Sequence, residues 1–428
     1  MSGRFVRASS YRHVFGQPAK PENTFKGAEV NCAGDGEFIA SNGKFMAFAC
    51  RGGGGPVGIL RNDQPGRISR PKKIEVHRAR VLDFDFNPFD NHLLATCAED
   101  NYVKLSKIPE GGLTEDIKTP LVSMQGHEKK VIGLKFNPVS SNILASVGFD
   151  HKLKVWDVES GQAALEYDTQ HGDALNHVRW SYDGSQLATT CKDKKVRIFD
   201  PRDQKVAGEV AAFAGSKKAS VEWVSKLNQI AVTGFTKSSM RQIKLYDTRD
   251  LSRAVHTEDI DQSAGVLIPY YDDDTSVLFV GGKGDSTVRY FEIDGSGLHF
   301  LSAFSDTKSH KGFSFIPKVA VDTTKCEIAG MLRVMSDGII PVQFVVPRKN
   351  ADTFQADIFP ETRAPIPAQT SAEYLEGKNA APIMSSMKPG EVQQAGQTEF
   401  VAKKTYAELE TELAAALARI AELEAAQA

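Results

Sequence analysis

Hydrophobic and polar residues alternate in short runs along most of this chain, and the clearest example spans residues 126–157. Val131, Ile132, Leu134 and Phe136 make one run, Ile143, Leu144 and Ala145 a second, and Leu153, Val155 and Trp156 a third. Asn137-Pro138 and a Gly-Phe-Asp-His turn at 148–151 separate them. A period of two, broken by turn residues, predicts short antiparallel strands with one face buried. The unit opens on Gly126-His127 and closes on Trp156-Asp157.

The unit recurs. His77 to Asp100 and His171 to Asp193 repeat its layout, with His-to-Asp separations of 22 or 23 residues and a Thr or Ser four residues before each Asp. Weaker copies end at Asp247 and Glu292, and the closing aromatics Trp156, Phe199, Tyr246 and Phe291 fall 43 to 47 residues apart. This is the pattern of a WD-type β-propeller, whose four-stranded blades cannot bury their faces alone and so imply one another. The sets His77/Thr96/Asp100, His127/Ser146/Asp150 and His171/Thr189/Asp193 carry the residue types of a catalytic triad. A general base must face a substrate cleft, whereas these sets recur once per blade at the same place. They read as structural staples in which buried hydroxyl, imidazole and carboxylate satisfy one another, with Trp156 joining the second set. Ser106 stands where Trp156 stands, so the staple of its repeat lacks the indole.

The remaining chain completes a ring. Residues 1–20 include His13-Val14-Phe15, read as the strand that closes the circular sheet from the other end of the chain. Residues 28–70 have a blade-like rhythm without the signature, and Leu298 to Leu301, Phe313 to Phe315 and Val342 to Val346 supply strands for one more blade. The count is seven. The expected class is therefore all-β: a seven-bladed WD40-type propeller over 1–346, an extension packed on it over 347–385, a flexible Pro- and Ala-rich linker over 386–404, and a coiled-coil helix over 405–428. In that helix Tyr406, Leu409, Leu413, Ala416, Ile420 and Leu423 repeat at spacings of 3 and 4, an a/d seam of about three heptads behind the capping box Thr405-x-x-Glu408. Such a short helix is marginal alone, so the seam predicts self-association. Arg419 and Glu424 fit a pattern similar to short parallel trimeric coils, in which the Arg reaches a Glu of the next helix.

Composition narrows the function classes. The 428 residues carry a formal net charge of −2, so no global field draws the chain to nucleic acid, and partners must be met by local patches. Basic candidates are Arg4, Arg7, Arg12, Arg78, Arg80, Lys129, Lys130, Lys192, Lys194 and Lys195. Five scattered cysteines show no metal spacing and fit a reducing, cytosolic setting. No apolar run is long enough to cross a membrane. The Gly52–Gly55 run lacks the Lys-Ser/Thr and helix of a phosphate cradle, and no nucleophile, base or metal set suggests an enzyme or a cofactor.

Motifs spread along the chain resemble the coronin family of actin-associated WD-repeat proteins. They are Arg7 to Gly16 (RASSYRHVFG), Asn87 to Asn91 (NPFDN), Pro109 to Leu113 (PEGGL) and Cys191 to Arg197 (CKDKKVR). Gly265 to Asp272 (GVLIPYYD), Gly282 to Ser286 (GKGDS), Val346 to Lys349 (VPRK) and the terminal coil follow in order. The resemblance implies a seven-bladed propeller that binds filamentous actin, bundles filaments through an oligomerising coil, and modulates the branched-filament nucleating complex at the cytoplasmic cell cortex. Glu29 stands where many relatives carry a basic filament contact. The competing reading is a trafficking or signalling scaffold whose propeller docks peptides or acidic lipids.

Overall fold

The structure, a computed structural model, describes residues 7–34, 36–168, 170–203, 205–350, 353–393, 400, 402 and 419. Seven sheets form the ring. Blade one runs from Ile39–Ser41 through Phe45–Ala49 and Val57–Arg61 to Lys72–Ile74. Blade two comprises Val81–Phe86, Leu93–Ala98, Tyr102–Lys107 and Val122–Gln125, and blade three Val131–Phe136, Ile143–Gly148, Leu153–Asp157 and Gln162–Tyr167. Blades four, five and six start at Leu175–Trp180, Ser220–Val224 and Leu267–Asp272 and end at Lys205–Ala211, His256–Asp261 and Gly297–Ser305. Leu298–Leu301, expected in the last blade, thus belongs to the outer strand of blade six, where it pairs with Thr287–Asp294. Blade seven is built from Gly312–Phe315, Glu327–Val334 and Gly338–Val345, and the N-terminal strand Phe15–Pro18 completes it, with Phe15 opposite Val345 and Pro18 opposite Val342. The closing strand expected from residues 1–20 is this one.

Burial follows the register. The second strands of blades two and three are buried at every position because sheets cover both of their faces. The innermost strands instead bury four of six residues and leave the second and fifth half-exposed toward the central channel. At that fifth position stand Asp85, Lys135 and Arg179, and Glu222 takes the equivalent place in the shorter strand of blade five, each just before an aromatic that enters the core. Blades are also joined by directed bonds. Asp83 and Asp85 accept from the Leu134 and Phe136 N–H groups of the next blade at 3.0 Å. The Trp180 and Trp223 indoles donate to the Lys135 and Arg179 carbonyls of the blade before, also at 3.0 Å.

Because antiparallel strands alternate direction, two kinds of connection share one face of the ring: the turns between second and third strands, and the crossings between blades. The C-terminal extension covers the opposite face. Ile358 and Phe359 are buried against blades six and seven, Thr362–Arg363 pairs with Met384–Ser385, and Gln369 donates to Ser140 at 2.7 Å. The short helix Ser371–Leu375 starts at a capping box of Thr370 and Glu373. It seats Tyr374, fully buried, edge-on to Trp180 with centroids 6.0 Å apart and beneath the Arg202 guanidinium at 4.9 Å.

Of residues 386–404, expected as a flexible linker, the structure describes 386–393, 400 and 402, and two of these side chains are buried. Met387 packs into the blade six–seven cluster and Phe400 into that of blades two and three, where Trp156 and Val158 supply apolar surface. The coil seam Tyr406, Leu409, Leu413, Ala416, Ile420 and Leu423, and Glu424, lies outside the described residues; Arg419 is described, as an exposed helical residue. Among the described residues no helix is long and apolar enough to cross a membrane.

Candidate partner-binding face

The three staples are positioned by the turn and the crossing that meet at one end of each blade. In blade three the Trp156 indole donates to the Ser146 hydroxyl at 2.8 Å, which lies 2.7 Å from His127 Nε2, while Nδ1 lies 2.8 Å from Asp150. In blade two His77 sits 2.9 Å from both Thr96 and Asp100, and the Arg78 N–H also donates to Asp100. Ser106, in place of the indole, is buried with no partner for its hydroxyl among the described residues. Burial alone would raise the Asp100 carboxyl, yet the His77 ring and two backbone N–H groups bring it down to about 2.

The third set is only partly joined. His171 meets Thr189 at 3.1 Å, but among the described residues the expected link to Asp193 is absent and His171 Nδ1 has no partner. Arg197 takes that carboxylate at 2.6 Å. The residue in the same register is lysine in the two preceding repeats, Lys104 and Lys154, and a guanidinium fork pairs with a carboxylate where an ammonium does not reach; Lys104 stays 4.0 Å from Asp100. Burial, with Arg197 adding repulsion, pushes the His171 imidazole down to about 4. These groups are enclosed in blades and face no cleft.

The central channel holds charge. Glu37, on the segment entering blade one, reaches Arg179 at 2.6 Å and Lys135 at 3.4 Å; Arg179 also meets Glu222 at 2.9 Å, and Lys135 meets Asp85 at 3.2 Å. Toward the extension the channel opens into a cavity of about 420 Å³ lined by Asp272, Asp273, Asp274, Lys318, Tyr182 and Arg363 among others. Its acids are engaged: Lys318 pairs with Asp272 at 2.5 Å and Thr362 donates to Asp274 at 2.5 Å. Burial pushes the Asp273 carboxyl up to about 7 against the pull of Arg363. Among the described residues no group of three or more His, Cys, Asp or Glu is placed to hold a metal ion.

The basic candidates separate by place and by partner. Arg4 lies outside the described residues. Arg7 and Arg12 precede the closing strand on the side of the extension, where Arg7 is taken up by Glu292 and by Asp294 at 3.2 Å. Arg80 pairs with Glu99 at 3.0 Å and Lys195 with Glu209 at 2.5 Å. Arg78, Lys129, Lys130, Lys192 and Lys194 remain; all belong to turns and crossings on the uncovered face, and none has an ion-pair partner among the described residues. Arg51, Lys237 and Lys311, which the sequence reading did not single out, stand exposed on the same face. Their signal was their spacing, since each falls in a turn or crossing equivalent to one already noted. A face that leaves cations unpaired is suited to an acidic partner and binds it with strong salt dependence.

Comparison with known proteins agrees with this architecture. WD domain, G-beta repeat profiles match residues 69–105, 118–157 and 165–200, a further type of WD40 repeat matches 339–382, and a domain of unknown function, DUF1899, matches 4–67. The WD40 domain of Toxoplasma gondii coronin superposes with a TM-score of 0.85 at 35% identity, covering 89% of this chain and 98% of that one. A chain of the mitotic checkpoint complex shares the fold alone, at a TM-score of 0.58 and 15% identity. Coronin-A of Dictyostelium discoideum is 39% identical over 93% of this chain and 89% of its own length. A coronin-like protein of Saccharomyces cerevisiae is 37% identical over 91% of this chain, which spans 62% of that relative. A seven-bladed ring closed by its N-terminal strand, three WD repeats in register and two such relatives along nearly the whole length lead to one conclusion: the chain belongs to the coronin family.

Proposed function

We propose that this chain is a non-catalytic, cytoplasmic actin-filament-binding protein. Its propeller grips the filament through the uncovered loop face, and its C-terminal helix joins copies into a homotrimer that bundles and crosslinks filaments at the cell cortex. Engagement of the branched-filament nucleating complex through the C-terminal region belongs to the same proposal. The observation that carries it is the set Arg78, Lys129, Lys130, Lys192 and Lys194, unpaired on one face while the other face is covered by the extension. Exposed Glu29 is of the wrong sign for an acidic filament, so these turns take over the grip. Each contact is weak and salt-sensitive. Joining propellers makes the second and third contacts intramolecular, with avidity gains of about 10²–10⁴.

The test is co-sedimentation with actin filaments at low and physiological salt, comparing the full chain with a chain ending at residue 404 and with Ile420→Pro. Both variants are expected to keep a folded propeller, to run as monomers in light scattering, and to sediment far less. Equal sedimentation by full-length and truncated protein would overturn the avidity mechanism.

A further inference from the structure

Phe149 sits in the turn between the second and third strands of blade three, one residue before the staple aspartate Asp150. At the equivalent place blade two carries Glu99 and blade four Lys192. A turn position that is charged in both neighbours therefore presents a half-exposed aromatic ring. Two ammonium groups converge on it: Lys130 Nζ lies 4.1 Å and Lys192 Nζ 4.4 Å from the ring centroid. Lys130 comes from the crossing into blade three, and its carbonyl accepts from the Phe149 N–H at 3.0 Å. Lys192 reaches over from blade four. Neither lysine has a carboxylate partner among the described residues.

This geometry differs from that of a lone surface lysine. Stacking on the ring strips part of the hydration from each ammonium and restricts its rotamers, costs that an ordinary exposed lysine meets only when a partner arrives. A carboxylate approaching the pair finds two cations already ordered and partly desolvated, so it gains more than at a freely moving side chain. The exposed part of the ring adds a flat apolar surface, the kind of aromatic anchor around which binding energy concentrates when neighbouring charges exclude water.

We propose that Phe149, clamped by Lys130 and Lys192, is the anchor of the loop face, and that it takes an acidic protein segment whose apolar side chain packs on the ring while its carboxylates meet the two ammonium groups. The partner's identity as a filament rests on the function proposed above; the chemistry of the anchor does not.

The full-length chain is tested by filament co-sedimentation as wild type, Phe149→Ala, Phe149→Trp, and the pairs Lys130→Gln/Lys192→Gln and Lys129→Gln/Lys194→Gln, with thermal melting run on each. Phe149→Lys copies the turn of blade four and serves if the alanine variant does not fold. Loss of the ring is expected to weaken binding about five- to tenfold with little change in salt dependence, tryptophan to retain it, and the clamp pair to weaken it more than the outer pair. Binding by Phe149→Ala within twofold of wild type overturns the anchor. Should wild type not sediment with filaments, the filament proposal fails, and the anchor is judged by fluorescence anisotropy of two labelled peptides, Glu-Asp-Leu-Glu-Asp and Glu-Asp-Gly-Glu-Asp. Preference for the leucine peptide that disappears in Phe149→Ala upholds it. No preference, or ring-dependent binding only to vesicles containing phosphatidylserine, overturns it.

Discussion

Glu37 and Arg179 meet at 2.6 Å across the central channel, joining the segment before blade one to the innermost strand of blade four. Burial disfavours the Glu37 carboxylate, but Arg179, Lys135 and His177 outweigh it and hold its pKa well below the usual range. Glu37 thus ties residues 142 positions apart and neutralises two cations that face the same space.

Replacing Glu37 by Gln leaves Arg179 with Glu222 and Lys135 with Asp85, so each cation keeps one partner. The expected loss is about 2–4 kcal/mol, near the lower end for breaking a buried pair, read from urea unfolding at neutral pH. A variant as stable as wild type would show that the channel charges are solvated.

Ser146 and Ser106 make a matched pair with opposite outcomes. Ser146→Ala orphans the Trp156 indole N–H and one nitrogen of His127, a cost of about 2–3 kcal/mol. Ser106 buries a hydroxyl that bonds to nothing among the described residues, so Ser106→Ala is expected to be neutral or slightly stabilising. Chemical denaturation of the two variants side by side checks both, and a similar loss in each would show that burial, not bonding, sets the effect.

His171 supplies a pH dependence. Its folded pKa, about 4, lies below the ordinary value of 6.5. The unfolded chain therefore takes up the proton first, and stability falls as pH drops from about 6.5 toward 4. Asp273, raised from 3.8 to about 7, works in the opposite direction across that whole window, so the contribution is isolated by difference. The stability gap between wild type and His171→Gln should shrink with acidification through that range, by no more than about 3 kcal/mol. A gap independent of pH would place a charged partner on His171 Nδ1.

Tyr374 pins the extension between blades three and four. Tyr374→Ala removes a fully buried ring and its contacts with Trp180 and Arg202, a loss of about 3–4 kcal/mol at that site. The strands of the ring pair with one another without it, so limited proteolysis is expected to cut near residues 376–382 while the ring resists. Wild-type resistance in this segment would mean that Thr362 and Gln369 suffice to hold it.

The repeat spacing of His, Ser or Thr, Asp and the closing aromatic made blades two to four legible, because each residue type is needed at one place in a four-stranded sheet, and the count of seven came from alternating runs that lack the signature. The channel charges were not. Asp85, Lys135, Arg179 and Glu222 read as the solvated half of an alternating strand, and only closing the ring turns that half toward a shared interior. Arg197 was visible as the odd residue among Lys104 and Lys154, but its capture of Asp193 depends on reach, which a pattern of residue types does not carry. Phe400 was not legible, since nothing local says that apolar surface beside Trp156 receives it. Phe149 was legible as a turn residue and became a candidate anchor once Lys130 and Lys192 were seen to flank it.

The pairing of Phe15–Pro18 with Val342–Val345 sets an order on synthesis. The circle cannot shut until residue 345 has left the ribosome, so at about 5–20 residues per second the N-terminal strand waits on the order of 15–65 s for its mate. Throughout that interval the nascent crescent offers an unpaired edge at each end, and it is then that chaperones have most to protect.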